Sequence, residues 1–273
     1  MKPITYEERY CVFIDILGFS SLIKDSATLE GQNNKKLSQI ISSLTKIREM
    51  THYIEKGIID DGADGTLYLT SRKFIQFSDS IVISYLKTDL HSAFIFHELL
   101  RIQLSLIHDG ILFRGAVTCG ELYHDDHLVL GPAFVEAVEL EKLASYPRMI
   151  VHRELAENGV FVQSEKELSS GRVANNTLRK DFDGVYYVDY FNVVPEDFGE
   201  NWSTMIEYLN KLRDKNKELS DEKDLSIELK YSWLRQKFND MVENAFDKDR
   251  LNIHGHLIPK NHLSSFKNIN IFQ

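Results

Sequence analysis

Cysteine is scarce: Cys11 and Cys119 are the only two in 273 residues, and both fall inside apolar, strand-like runs. That excludes a disulfide framework and a cysteine-ligated metal site, and it fits a reducing cytosol. Long hydrophobic runs are missing too. No stretch approaches the ~20 apolar residues of a membrane span, and the opening MKPITYEERY has no apolar signal core, so a cytoplasmic chain without direct membrane insertion is expected. Positive charge is in deficit, with 32 Lys and Arg against 41 Asp and Glu and a net charge of −9. Nucleic-acid binders carry a basic face, so no nucleic-acid partner is expected. Repeats and low-complexity linkers are absent, and the length suffices to bury a full core.

Against these absences stands the stretch FIDILGFS, Phe13 to Ser20. Val12 to Ile16 reads as a short buried strand with one carboxylate, Asp15, in an otherwise apolar run. Such a charge is costly to bury without a cation, a hydrogen-bond network or a raised pKa. Gly18 permits a tight turn, and the free amides of Phe19, Ser20 and Ser21 at a new helix start form an anion site. Strand, acid, glycine turn and helix start together suggest a metal beside phosphate.

A second stretch, FIQFSDSIVISYL, reads as two strands, Phe74 to Phe77 and Ile81 to Tyr85, around a Ser78-Asp79-Ser80 turn. If this hairpin lies beside the first strand, Asp79 faces Asp15. Two converging carboxylates suit Mg²⁺ or Mn²⁺, which prefer oxygen ligands and leave positions for substrate phosphates. Alone, Asp79 would be a plain turn residue.

In chain order, Leu37 to Ile54 and Leu90 to His108 have the spacing of amphipathic helices, and Ile59 to Thr66 is an acidic, solvated loop. Ile111 to Tyr123 reads as a strand with Arg114 near its start, and Gly115 and Gly120 mark close approach of a backbone or ligand. His124 to His127 reads as a polar turn rather than a metal cluster. A strand at Leu128 to Leu130 leads into a helix opened by Gly131-Pro132 and running to Ala144, and Met149 to Val151 is a further buried strand. Arg148 reads as a surface arginine, with phosphate contact the alternative. Beyond Asn158 the pattern weakens to one strand, Val185 to Tyr190, and charged helices at Trp202 to Leu212 and Leu225 to Phe246. The tail holds His254, His256 and His262 but no zinc-site pattern, and it is expected to pack on the same body. The succession predicts an α+β fold of elaborated ferredoxin-like plan, a mixed, mainly antiparallel sheet with helices on one face. A core at 1–152 would be followed by an extension at 153–273.

FIDILGFS, FSDS, RGAVTCGELY and LVLGPAFVEAVELEK, in that order, resemble the catalytic core of class III nucleotidyl cyclases over roughly residues 10–152. The resemblance implies two divalent ions, Mn²⁺ or Mg²⁺, on Asp15, the Ile16 carbonyl and Asp79. It also implies a nucleoside triphosphate held by Phe13, Gly18, Phe19, Ser20 and Arg114, with Asp15, Asp79 and Arg114 catalytic. Without the motif order, Arg114 is expected to pair structurally with Glu121 or Asp79. Four positions depart from the purine cyclase pattern: Ile75 and Leu128 stand where base-reading Lys and Asp are usual, and Val135 and Glu139 where Asn and Arg are usual. Tyr53, on the first long helix, is a candidate base reader or a core aromatic.

These departures, with the length and the GPAF…LE block, make the chain similar to the bacterial pyrimidine cyclases of Pycsar antiphage systems. That likeness implies conversion of UTP to cyclic UMP, with CTP and cyclic CMP as the alternative. It further implies a head-to-tail homodimer and a separate effector of membrane or TIR type that responds to the product. A cyclase-like module that binds nucleotide or protein without turnover is the alternative of another class.

Overall fold

The computed structural model describes residues 4–27, 34–49, 70–88, 91–158, 177–218 and 225–272. Strand β1 (Glu7–Ile16) sits inside the sheet and alternates strictly. Tyr10, Val12, Ile14 and Ile16 join the large core, while Cys11 and Phe13 join a smaller cluster on the other face. By this alternation Asp15 belongs to the smaller face. The hairpin β2 (Lys73–Phe77) and β3 (Ser80–Leu86) pairs antiparallel along one side of β1, and β4 (Phe113–His124) along the other. Short strands β5 (Val129–Leu130), β6 (Met149–Val151), β7 (Leu178–Lys180) and β8 (Tyr186–Val188) complete an eight-stranded sheet of order β2-β3-β1-β4-β6-β8-β7, with β5 hanging on β4. Only β4 and β6 run parallel. The fold is therefore α+β with a mixed, mainly antiparallel sheet.

Helix α1 (Phe19–Ala27) starts at the expected glycine turn, α2 (Lys35–Glu49) lies within the helix expected at Leu37 to Ile54, with Leu37 and Ile41 exposed and 50–54 outside the described residues, and α3 (His91–His108) packs Leu99, Ile102 and Leu106 into the large core. Helix α4 (Pro132–Leu143) does not share that face. Ala133 and Ala137 sit in the small cluster with Cys11, Phe13, Val82 and Leu122. The expectation of helices on one face is thus corrected: two alanines one turn apart let α4 lie close against the opposite side, where Thr118 donates to the Ala133 carbonyl at 2.7 Å. Gly115 is a point of close backbone approach, since a side chain there would meet the Phe13 carbonyl and, at 2.7 Å, the Met149 sulfur.

Beyond a short helix α5 (Arg153–Asn158), the C-terminal third joins the same sheet through β7 and β8. It adds α6 (Trp202–Glu218), α7 (Leu225–Ala245), the small hairpin β9 (Asn252–Ile253) and β10 (His256–Leu257), and α8 (Leu263–Lys267). Helix α6 runs a turn and a half past its apolar pattern, because its last residues are polar, and the strand at Val185 to Tyr190 shortens to β8. In the tail, Ile258, Phe266 and Ile269 belong to the large core.

Arg148 is neither a surface residue nor placed for substrate phosphate. Its side chain is fully buried, paired with Asp181 and Asp183 and lying over the rings of Tyr146 and Trp233 at 5.1 and 5.8 Å. Trp233 Nε1 donates to Asp181 at 2.8 Å, and the Lys237 ammonium reaches the same carboxylate at 2.7 Å. Burial works to raise the Asp181 pKa, but the hydrogen bonds from Lys237, the Phe182 amide and Trp233 hold it below the ordinary carboxylate value. This network ties α7 to the sheet.

Candidate active site

Local pairing fixes the site. Asp15, one residue from the end of β1, stands opposite Ser80 on β3 and Arg114 on β4. The β2–β3 turn is Ser78-Asp79, with Ser78 at φ 58°, and the Asp79 carbonyl accepts the Ile16 amide at 3.0 Å. The hairpin tip is thereby pinned to the end of β1, and the two carboxylates act on one another. Gly18 adopts φ 71°, a left-handed conformation that favours glycine, and α1 begins at the next residue. The first-turn amides of Phe19 and Ser20 lack carbonyl partners within their own helix, as all first-turn amides do. Phe13, two residues before Asp15, is buried and meets Phe134 of α4 edge-on at 6.0 Å.

Arg114 departs from both structural partners expected for it, Glu121 and Asp79. Its Nε–H donates to Asp15 Oδ2 at 3.1 Å and also touches Glu141 Oε1 of α4. Its Nη1 and Nη2 make no hydrogen bond among the described residues. The guanidinium is therefore held from the rear with its fork unspent. Glu141, the acid of the GPAF…LE block, was given no role in the motif order. A signal existed: Ala133, Ala137 and Glu141 recur every fourth residue on the buried face of α4, so an acid ends an apolar stripe. Lys230 of α7 also acts on this cluster, its charge favouring the ionised forms of both Asp15 and Glu141. No local pattern could connect residues so far apart in sequence.

Burial raises the Asp15 pKa, Arg114 opposes the rise, and the Asp79 charge adds to it. Burial likewise raises Glu141, against Arg114 and with Asp15. A divalent cation fits this arrangement: Asp15 and Asp79 offer hard oxygen donors whose mutual repulsion and burial cost it would relieve. Among the described residues no group of three or more His, Cys, Asp or Glu is placed to hold a metal. Two carboxylates suit an ion that takes its remaining ligands from phosphate and water.

Tyr53 and the acidic loop at 59–66 lie outside the described residues. His124 is buried at the far end of β4, its Nδ1 2.8 Å from the Ser84 hydroxyl, while Asp125 caps the amides of His127 and Leu128 as a polar turn. His254 is half-buried and His256 lies 3.6 Å from Glu196, and among the described residues no group of three or more metal-ligating side chains forms around them. Of the four departing positions, Leu128, Val135 and Glu139 are exposed and Ile75 is half-buried on the small-cluster face.

No protein-family model and no curated protein matches the sequence. Among solved structures, the chain is similar to the catalytic core of a rhodopsin-guanylyl cyclase with converted specificity in complex with ATPαS, at 15% identity and a TM-score of 0.41, covering 69% of this chain and 98% of that one. It is also similar to a class III adenylyl cyclase-like ATP-binding protein from Pseudomonas aeruginosa, at 12% identity and a TM-score of 0.35, covering 68% of this chain and 39% of that one.

Proposed function

We propose that this chain is a metal-dependent nucleotidyl cyclase that converts a pyrimidine nucleoside triphosphate, UTP first and CTP as the alternative, to the cyclic monophosphate and pyrophosphate. The observation that carries this reading is the Arg114 guanidinium, gripped at Nε between two carboxylates with both Nη groups free, beside the Asp15 and Asp79 pair. A planar fork of N–H donors is suited to phosphate oxygens.

In this reading Asp15, the Ile16 carbonyl and Asp79 hold two Mn²⁺ or Mg²⁺ ions. Such ions, when bound, lower the pKa of the ribose 3′-hydroxyl and neutralise charge on the phosphates. The 3′-oxygen bonds to the α-phosphorus, the bond to pyrophosphate breaks, and the hydroxyl proton passes to water. Arg114, Phe13 and the turn from Gly18 to Ser20 orient the triphosphate, the amides of Gly18, Phe19 and Ser20 donating to its oxygens. Placing fixed donors where charge gathers accounts for most of the barrier reduction.

The pyrimidine assignment is supported by the departures at Ile75, Leu128, Val135 and Glu139, two of which replace residues that would read a purine. Phe77, Leu128, Leu130 and Val135 are exposed, and these apolar side chains support a homodimer. Among the described residues no helix is long and apolar enough to cross a membrane. A cytoplasmic enzyme whose diffusible product alerts a separate membrane or TIR-type effector in antiphage defence completes the proposal.

A second reading, a nucleotide- or protein-binding module without turnover, is favoured by Val135 and Glu139, where the resemblance expects transition-state groups. Single-nucleotide turnover assays on wild type and Asp79→Ala separate the two: product from wild type alone supports the enzyme, and nucleotide binding without product supports the module.

A further inference from the structure

Arg114 has one Nε–H and two carboxylates competing for it. That hydrogen is aimed at Asp15, whereas Glu141 Oε1 touches the same nitrogen as an ion-pair contact and is a buried acceptor with no aligned hydrogen bond. The carboxylates also differ in depth. The Asp15 side chain keeps 20% of its exposure and the Glu141 side chain only 5%. A ligand arriving at the site can reach Asp15 and not Glu141.

A buried acceptor left without a hydrogen bond is costly, and it is restored when a neighbouring donor turns to it. From these relations we infer that Glu141 is a positioning residue that takes over the Nε–H of Arg114 when Asp15 is engaged by the incoming metal–triphosphate. This inference rests on the reading of the site given above. The handover keeps the guanidinium anchored from the rear through loading, so its four Nη–H donors stay directed at phosphate. Without Glu141 the arginine would either stay on Asp15, competing with the ligand, or detach and lose its preset direction. Helix α4 carries Glu141 on the face already fixed by Ala133 and Ala137, so the anchor is as rigid as the helix packing.

The experiment is calorimetric titration of the full chain with inorganic tripolyphosphate in Mn²⁺, which reads affinity without turnover. Glu141→Met, which removes the acceptor and the charge, is expected to weaken binding about tenfold or more. Glu141→Gln, which keeps an acceptor oxygen, is expected to weaken it less and gives the answer if the Met variant does not fold. Both losses should vanish in an Arg114→Met background, because Glu141 acts only through Arg114. Equal losses in both backgrounds, or unchanged affinity in both Glu141 variants, overturn the assignment. A wild-type protein that does not bind tripolyphosphate overturns the triphosphate site itself and the handover with it, a distinguishable result.

Discussion

At the scale of single residues, the proposed chemistry turns on which nitrogen of Arg114 is occupied. With Nε on Asp15 and Glu141, the side chain presents its two Nη groups as a unit, a task lysine cannot copy because an ammonium has no rear nitrogen to anchor. Arg114→Lys, despite keeping the charge, is therefore expected to reduce kcat/KM by at least about tenfold, with thermal stability nearly unchanged. Wild-type kcat/KM in that variant would show that charge alone suffices. Asp15, Asp79 and Gly18 were legible in the sequence because each breaks a local pattern: an acid in an apolar strand, an acid at a hairpin tip, a glycine at a strand-to-helix junction. Glu141 stood in the GPAF…LE block with no partner to read, and its contact with Arg114 emerges only when α4 is laid against β4. Arg148 was misread for a related reason. Sequence carries no sign of the two aspartates, more than thirty residues downstream, that bury it.

Among elements, α7 is the informative one. Its face at Trp233 and Lys237 closes on Asp181, and Trp233 stacks on Tyr146 at 5.4 Å with an interplanar angle of 7°. One turn earlier, Lys230 faces the acids of the candidate site electrically. Breaking a buried ion pair by removing one partner typically costs about 3–5 kcal/mol, since the other charge is left uncompensated. Arg148→Met should cost this much in urea unfolding, loosening α7 together with β7 and β8, and a change below about 1 kcal/mol would mean that Lys237 alone satisfies Asp181. The order of strands and helices up to β6 could be read from periodicity, because those elements are amphipathic and bounded by Gly, Pro or Asp turns. Of the later strands β8 was legible, as Val185 to Tyr190, whereas β7, β9 and β10 have only two or three residues each, too few for alternation to register, and exist through their antiparallel pairing.

For the whole molecule, two predictions follow from what the sheet buries and exposes. Buried His124 has its pKa lowered from 6.5 to about 4, by burial first and then by the charges of Arg9 and Lys73. A depressed folded-state pKa means that the unfolded chain binds the proton more readily, so the contribution is intact above pH 6.5 and is lost as pH falls towards about 4. Its full size is on the order of 3 kcal/mol. Thermal melts from pH 7.5 to 4.5 should fall less steeply in His124→Gln than in wild type, and parallel curves would discount His124. The exposed side chain of Val135 is one of those assigned to the homodimer. Val135→Asp should shift sedimentation from dimer to monomer and reduce turnover, whereas a wild-type protein that sediments as a monomer at assay concentration would remove the dimer from the proposal.

The most direct measurement is to incubate the purified protein with Mn²⁺ and each of ATP, GTP, CTP and UTP in turn, and to identify the products by chromatography and mass. A single cyclic pyrimidine monophosphate, absent from Asp79→Ala protein that melts as wild type does, is the predicted result. A cyclic purine product would contradict the assignment of the base. Equal product from Asp79→Ala, or none from any nucleotide, would contradict the two-carboxylate active site.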